Sequence, residues 1–259
     1  MGTERTKDKW VNLNNPPVLL AIFQIRYHST NKFPITEYHK LESVSQIRKE
    51  YPKRNDNYNS DILGIEGTPV VGVSTLKAKA NTQINCTTYF TEDQKRKFIL
   101  CEDSLTYTDE NAYIGWNHFK ENILKSLNFI SEKFNEIQID RISIRFVNKF
   151  NIPDINNLSE YFNVTLSTVR DVNLQYPITK YSFKYLNQIP DTDIHAIINQ
   201  AVEVNGDNTG FYMLDIDVLS SVNLFCDLGI IATEIEKLRD IKNNIFFENI
   251  TEKAIELCR

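Results

Sequence analysis

The chain reads as an α+β protein of two diverged repeats, each running strand, helix, three strands and long helix, with antiparallel sheets and helices packed on one face. Three observations predict this. Within residues 141–150, Ile142, Ile144, Phe146 and Phe150 are apolar while Arg141, Ser143, Arg145 and Lys149 alternate with them, the period of a half-buried strand. The run Phe23-Gln-Ile-Arg-Tyr27 repeats Ile142-Ser-Ile-Arg-Phe146 at an offset of 119, and the same offset carries Phe33-Pro34 onto Ile152-Pro153. Each half also closes on a long stretch of helical period, and consecutive strands between helices make the α+β arrangement.

Residues 1–15, polar around Trp10, are expected to form a loosely held arm. The first repeat then covers 16–136 and the second 137–259, as two lobes or one fused domain. Pro16-Pro17 leads into a strand over about 18–28, with Ala21, Phe23, Ile25 and Tyr27 on one face and Gln24, Arg26 and His28 on the other. Thr36 caps a helix over about 37–50, on which Tyr38, Leu41, Val44 and Ile47 form a stripe. Tyr51-Pro52 ends it, and the polar run 53–60 reads as a surface loop. Strands follow at about 69–77, 83–91 and 96–108, the last divisible at Glu102-Asp103. Trp116, Phe119, Ile123, Leu127, Ile130 and Phe134 mark a helix over about 116–134.

In the second repeat, Asp154 caps a short helix at about 155–162. Strands are expected at 178–187, 193–204 and 210–219, the last two joined across Asn205–Gly210. A long helix over about 222–243 carries Phe225, Leu228, Ile231, Ile235, Leu238 and Ile241 on one stripe, and Asn249–Glu252 has the form of a capping box for a final short helix.

The 259 residues are 41% hydrophobic, enough for a sizeable core, and the net charge of −5 provides no global basic field for nucleic acid or a membrane surface. No apolar run approaches the roughly 20 residues of a spanning helix, and the polar start lacks a signal-peptide core, so the cytoplasm is the expected location. The four cysteines, Cys86, Cys101, Cys226 and Cys258, show no CxxC pairing and read as isolated buried thiols in a reducing compartment.

Chemistry concentrates on one strand. In Phe211–Val218, Leu214, Ile216 and Val218 take one face and Asp215 and Asp217 the other. Two carboxylates so spaced begin a divalent-metal site or an acid/base pair, lie on a solvated face, or pair with arginines. Arg26 and Arg145, equivalent under the offset, are the arginines to consider, as partners of the acids or as a cradle for an anionic ligand. His28, His39, His118 and His195 lie on different elements and form no triad, and Gly64–Gly67 lacks the context of a phosphate loop. No catalytic set, cofactor or metal centre is therefore expected. Lys95-Arg96-Lys97 reads as a charged hairpin, and Lys237, Arg239 and Lys242 as the outer face of the last long helix.

Several short patterns combine along the chain: Asn15-Pro-Pro-Val18, Ala21–Tyr27, Tyr51-Pro52, Tyr113-x-Gly115-Trp116-x-x-Phe119, Arg141-x-x-x-Arg145-Phe-Val-Asn148, Leu214-Asp-Ile-Asp217 and Lys242–Lys253. Together they resemble a sporadically distributed bacterial family of conserved hypothetical proteins. The chain departs from that pattern at Leu20, where the family usually carries an acidic residue. The resemblance implies no catalytic residues, and patchy distribution implies a toxin–antitoxin or antiviral defence setting. The expected function is a non-enzymatic accessory, sensor or antitoxin-like subunit that binds a protein, one encoded nearby in the resemblance's setting. The alternatives are a nucleotide or nucleic-acid binder using the polar sheet face, and a metal-dependent hydrolase built on Asp215 and Asp217. Homo-oligomerisation is open, nucleic acid ranks behind protein as a partner, and no membrane association is expected.

Overall fold

The computed structural model describes residues 10, 11, 13–28, 45–66, 77–131, 137–163, 179–205 and 207–259. Among these residues nine strands form one antiparallel sheet: β1 (Val18–His28), β2 (Lys53–Glu66), β3 (Lys77–Phe90), β4 (Arg96–Cys101), β5 (Ser104–Glu110), β6 (Gln138–Ile152), β7 (Lys180–Gln188), β8 (Ile194–Val204) and β9 (Gly210–Phe225), in the order β2-β3-β4-β5-β1-β6-β9-β8-β7. The helices are α1 (Ser45–Glu50), α2 (Trp116–Ser131), α3 (Leu158–Tyr161), α4 (Leu228–Asn249) and α5 (Glu252–Glu256). This corrects the expected fold class. The described residues are strand-rich, with one nine-stranded sheet and a few helices, where a balanced α+β protein was expected and a fused or a divided sheet was left open.

The reason is the pairing of β1 with β6, a contact between strands more than 100 residues apart that no local pattern announces. Its register places Phe23 against Ile144, Gln24 against Ser143 and Ile25 against Ile142. The offset of 119 also relates Gln24 to Ser143, so the two similar stretches lie around a local two-fold centred on that pair. The halves are unequal: β1 is followed by four strands and β6 by three.

Other elements also move. The polar run 53–60 is strand, because β2 forms a long ribbon with β3 in which Asn, Asp and Tyr need no apolar alternation. Only 45–50 of the expected first helix is described; Thr36, Tyr38, Leu41 and Val44 lie outside the described residues, as does most of the expected strand at 69–77. Strand β9 runs on to Phe225, which is exposed at the strand end, and α4 begins at Leu228 under an Asp227 cap that accepts from Gly229 and Ile230. Asn249 is the last residue of α4, and Thr251 stands at the N-cap of α5 without a side-chain cap bond. Trp10 stacks on Phe247 at 5.4 Å and Asn15 bonds Cys258 and Arg259, so this end of the expected loose arm is held.

Cys86 and Cys101 are direct register partners on β3 and β4 and form a disulfide, with Cα atoms 4.1 Å apart. Only Cys226 and Cys258 are free. The reading of four isolated thiols fails because pairing register, and not sequence spacing, brings the first two together, and the argument for a reducing compartment falls with it.

The core lies on the Phe23 side of the sheet. Ala21, Phe23, Ile25, Leu105, Tyr107, Ile142, Ile144, Leu214, Ile216 and Val218 are buried there beneath Phe119, Ile123 and Leu127 of α2 and Ile231, Ile235 and Leu238 of α4. Phe119 meets Tyr107 and Phe146 at 5.6 Å each, geometry that aromatic pairs favour. The core also holds a polar knot. The Tyr212 hydroxyl donates to Gln200 Oε1 at 2.5 Å, and Gln200 Nε2 donates to the Tyr185 hydroxyl at 3.0 Å and to Asn249 Oδ1 at 2.9 Å. These bonds tie β7, β8 and β9 to the end of α4.

Candidate binding face

The opposite side of the sheet carries no helix among the described residues. Strand alternation sends Ile22, Gln24 and Arg26 of β1 to this side, together with Arg141, Ser143, Arg145 and Val147 of β6 and Asp215, Asp217 and Leu219 of β9. His195 and Ile197 of β8 are register partners of Leu219 and Asp217, so they join the same face.

Arg145 and Asp215 come together, the arginine pairing that was one of the arrangements left open by the sequence. Nε donates to Oδ1 at 2.8 Å and Nη2 to Oδ2 at 2.7 Å, a fork-on-carboxylate pair. That bond raises the Arg145 pKa above its ordinary value. Asp217 is the direct register partner of Arg145, yet its Oδ1 is buried without a hydrogen bond. Burial raises its carboxyl pKa, Arg145 opposes the rise and Asp215 adds to it.

Arg26 is not part of this group. It lies four residues along β1 from Ile22, the partner of Arg145, which is about 13 Å of strand. It sits directly opposite Arg141, a residue whose parity marked it for this face but whose equivalent under the offset is Ile22. Arg141 Nη2 donates to Gln24 Oε1, and Gln24 Nε2 donates to the Thr106 hydroxyl at 3.0 Å. Arg141 Nε is buried and has no acceptor, and the same holds for His195 Nδ1 and the Thr108 hydroxyl on this face. Reasoning from sequence did not propose Arg141, Gln24, Thr106 or His195 for the site; the alternation around Arg141 and around Gln24 offered a signal for those two.

Both oxygens of Asp215 are engaged by Arg145, and among the described residues no group of three or more His, Cys, Asp or Glu side chains could hold a metal ion. The basic triplets also differ from expectation. Arg96 lies 3.7 Å from fully buried Asp109, whose pKa burial raises, and Lys97 pairs with Glu110. Lys242 does not face outward: its amine lies 4.3 Å from the Phe146 ring, and Arg239 lies over Trp116. No described helix is long and apolar enough to cross a membrane. No protein-family model matches the chain, and no curated protein matches it.

Proposed function

We propose that the chain is a non-enzymatic binding protein that holds a protein partner against the face of its sheet that no described helix covers. One observation carries this reading: on this face Ile22, Ile197 and Leu219 lie partly exposed beside the exposed side chains of Arg26 and Arg145, with no described helix over them, which is the mixed apolar and polar character of protein interfaces.

The setting implied by the family resemblance, a bacterial defence or toxin–antitoxin module, would be read from the partner's identity. The test is affinity capture from the source cells with the wild-type chain and with Ile197→Gln/Leu219→Gln, whose fold is checked by circular dichroism. A stoichiometric partner retained by the wild type and lost by the folded variant is the expected result. A partner held equally by both, or none held by the wild type, overturns the proposal.

A further inference from the structure

On the same face, Arg26 and Arg141 stand directly opposite each other on β1 and β6. Like charges so placed destabilise a strand pair unless something compensates them. Among the described residues neither guanidinium is paired with a carboxylate. The acids nearest in sequence are taken: Asp103 accepts from the Ser104 hydroxyl at 3.0 Å, and Asp140, the bulge residue between the register partners of Arg26 and Tyr27, faces His28 at 3.3 Å. Asp215 belongs to Arg145, and Asp217 interacts with Arg141 less than with Arg145.

Arg141 is anchored through Gln24, itself anchored by Thr106, and Arg26 stands exposed across from it. Two serines lie beside it in register, Ser221 opposite Arg141 and Ser143 opposite Gln24, while the hydroxyl of Ser104, opposite Arg26, is engaged by Asp103. Two guanidinium forks with neighbouring hydroxyl donors suit a tetrahedral dianion better than a single carboxylate, which would neutralise only one of the charges.

We infer that Arg26 and Arg141 form a phosphate-recognition subsite that takes a phosphoryl group across the β1–β6 pair. The choice of face rests on the docking reading above, but the subsite stands or falls by itself. Its ligand is either a phosphorylated side chain on the partner or a free phosphate compound.

The test is thermal-shift and calorimetric titration of the full chain at constant ionic strength with inorganic phosphate, N-acetylphosphoserine amide, AMP and sodium chloride. Arg26→Gln and Arg141→Gln are compared with Lys95→Gln, an exposed turn residue far from the pair. Saturable stabilisation by phosphate beyond that by chloride, retained in Lys95→Gln and weakened at least tenfold in each arginine variant, is expected. Tighter binding of the phosphoserine amide assigns the group to a phosphorylated partner, and tighter binding of AMP to a nucleotide. No saturable binding, or equal binding by all four proteins, overturns the inference. Phosphate binding without partner capture would remove the docking reading alone, and partner capture without phosphate binding would remove this one alone.

Discussion

Removing Arg145 should destabilise the protein more than neutralising the aspartate it holds. Arg145 makes two charge-assisted bonds to Asp215, whose side chain is 11% exposed, and stands beside Asp217, whose Oδ1 has no donor. Arg145→Met therefore leaves two neighbouring carboxylates in a poorly hydrated site without their cation. Breaking a well-buried pair costs about 3–5 kcal/mol, and because the Arg145 side chain is 45% exposed, about 2–3 kcal/mol is expected here. Asp215→Asn leaves Arg145 beside Asp217 and should cost only about 1 kcal/mol. At about 2–4 °C per kcal/mol, the melting temperature should fall roughly 6 °C for the first variant and roughly 2 °C for the second. The sign of the pH dependence follows. Burial already raises the Asp217 carboxyl pKa and Arg145 opposes the rise, so without Arg145 more stability is lost as pH rises through the carboxylate range, and the deficit seen at pH 7 should shrink near pH 4. Circular dichroism melts at both pH values measure this. A deficit for Asp215→Asn as large as that for Arg145→Met, or one that does not shrink in acid, would refute the reasoning.

Three further outcomes are expected. Gln200→Leu keeps the volume but removes the acceptor of the Tyr212 hydroxyl and one of the two donors to Asn249 Oδ1, which Tyr185 still serves, and should cost about 1–2 kcal/mol in urea unfolding, whereas a cost under about 0.5 kcal/mol would deny the network its role. Burial and neighbouring Arg239 push the Lys242 pKa down to about 7, so between pH 7 and 9 the unfolded chain binds the extra proton and stability rises with pH; Lys242→Met should be more stable at pH 7 and should reduce that rise. The window closes near pH 9 because Cys226 and Cys258, raised by burial to about 11, then contribute in the opposite direction. Thiol titration in denaturant should find only Cys226 and Cys258 reactive before reduction and all four cysteines after it, whereas four at the outset would contradict the Cys86–Cys101 bond.

Local physics was readable and long-range physics was not. The alternation in β1 and β6 and the 3.6-residue stripes of α2 and α4 are properties of single segments, and Ala21, Phe23, Ile25, Tyr27, Ile142, Ile144, Phe146, Phe119 and Ile235 occupy the core faces these patterns imply. The β2 ribbon escaped notice because a strand pair rich in Asn and Asp looks like a loop by composition. The Cys86–Cys101 pairing and the single sheet both depend on register between distant strands. The same limit explains the site. Arg145 and Asp215 were correctly placed on one face, but the offset suggested that Arg26 would share their surroundings. Antiparallel pairing about Gln24–Ser143 sends equivalent residues to opposite ends of the strand pair, so equivalence separated Arg26 from Arg145 and brought it to Arg141 instead.

Site-specific photo-cross-linking compares the two sides of the molecule in one experiment. Benzoylphenylalanine replaces Leu219 on the uncovered face in one protein and Ile230, an exposed residue of α4, in another. Irradiation in the source cells should join the partner to the chain carrying the probe at 219 and leave the chain carrying it at 230 unmodified. Adducts confined to position 230 would place the docking surface on the helices and contradict the account.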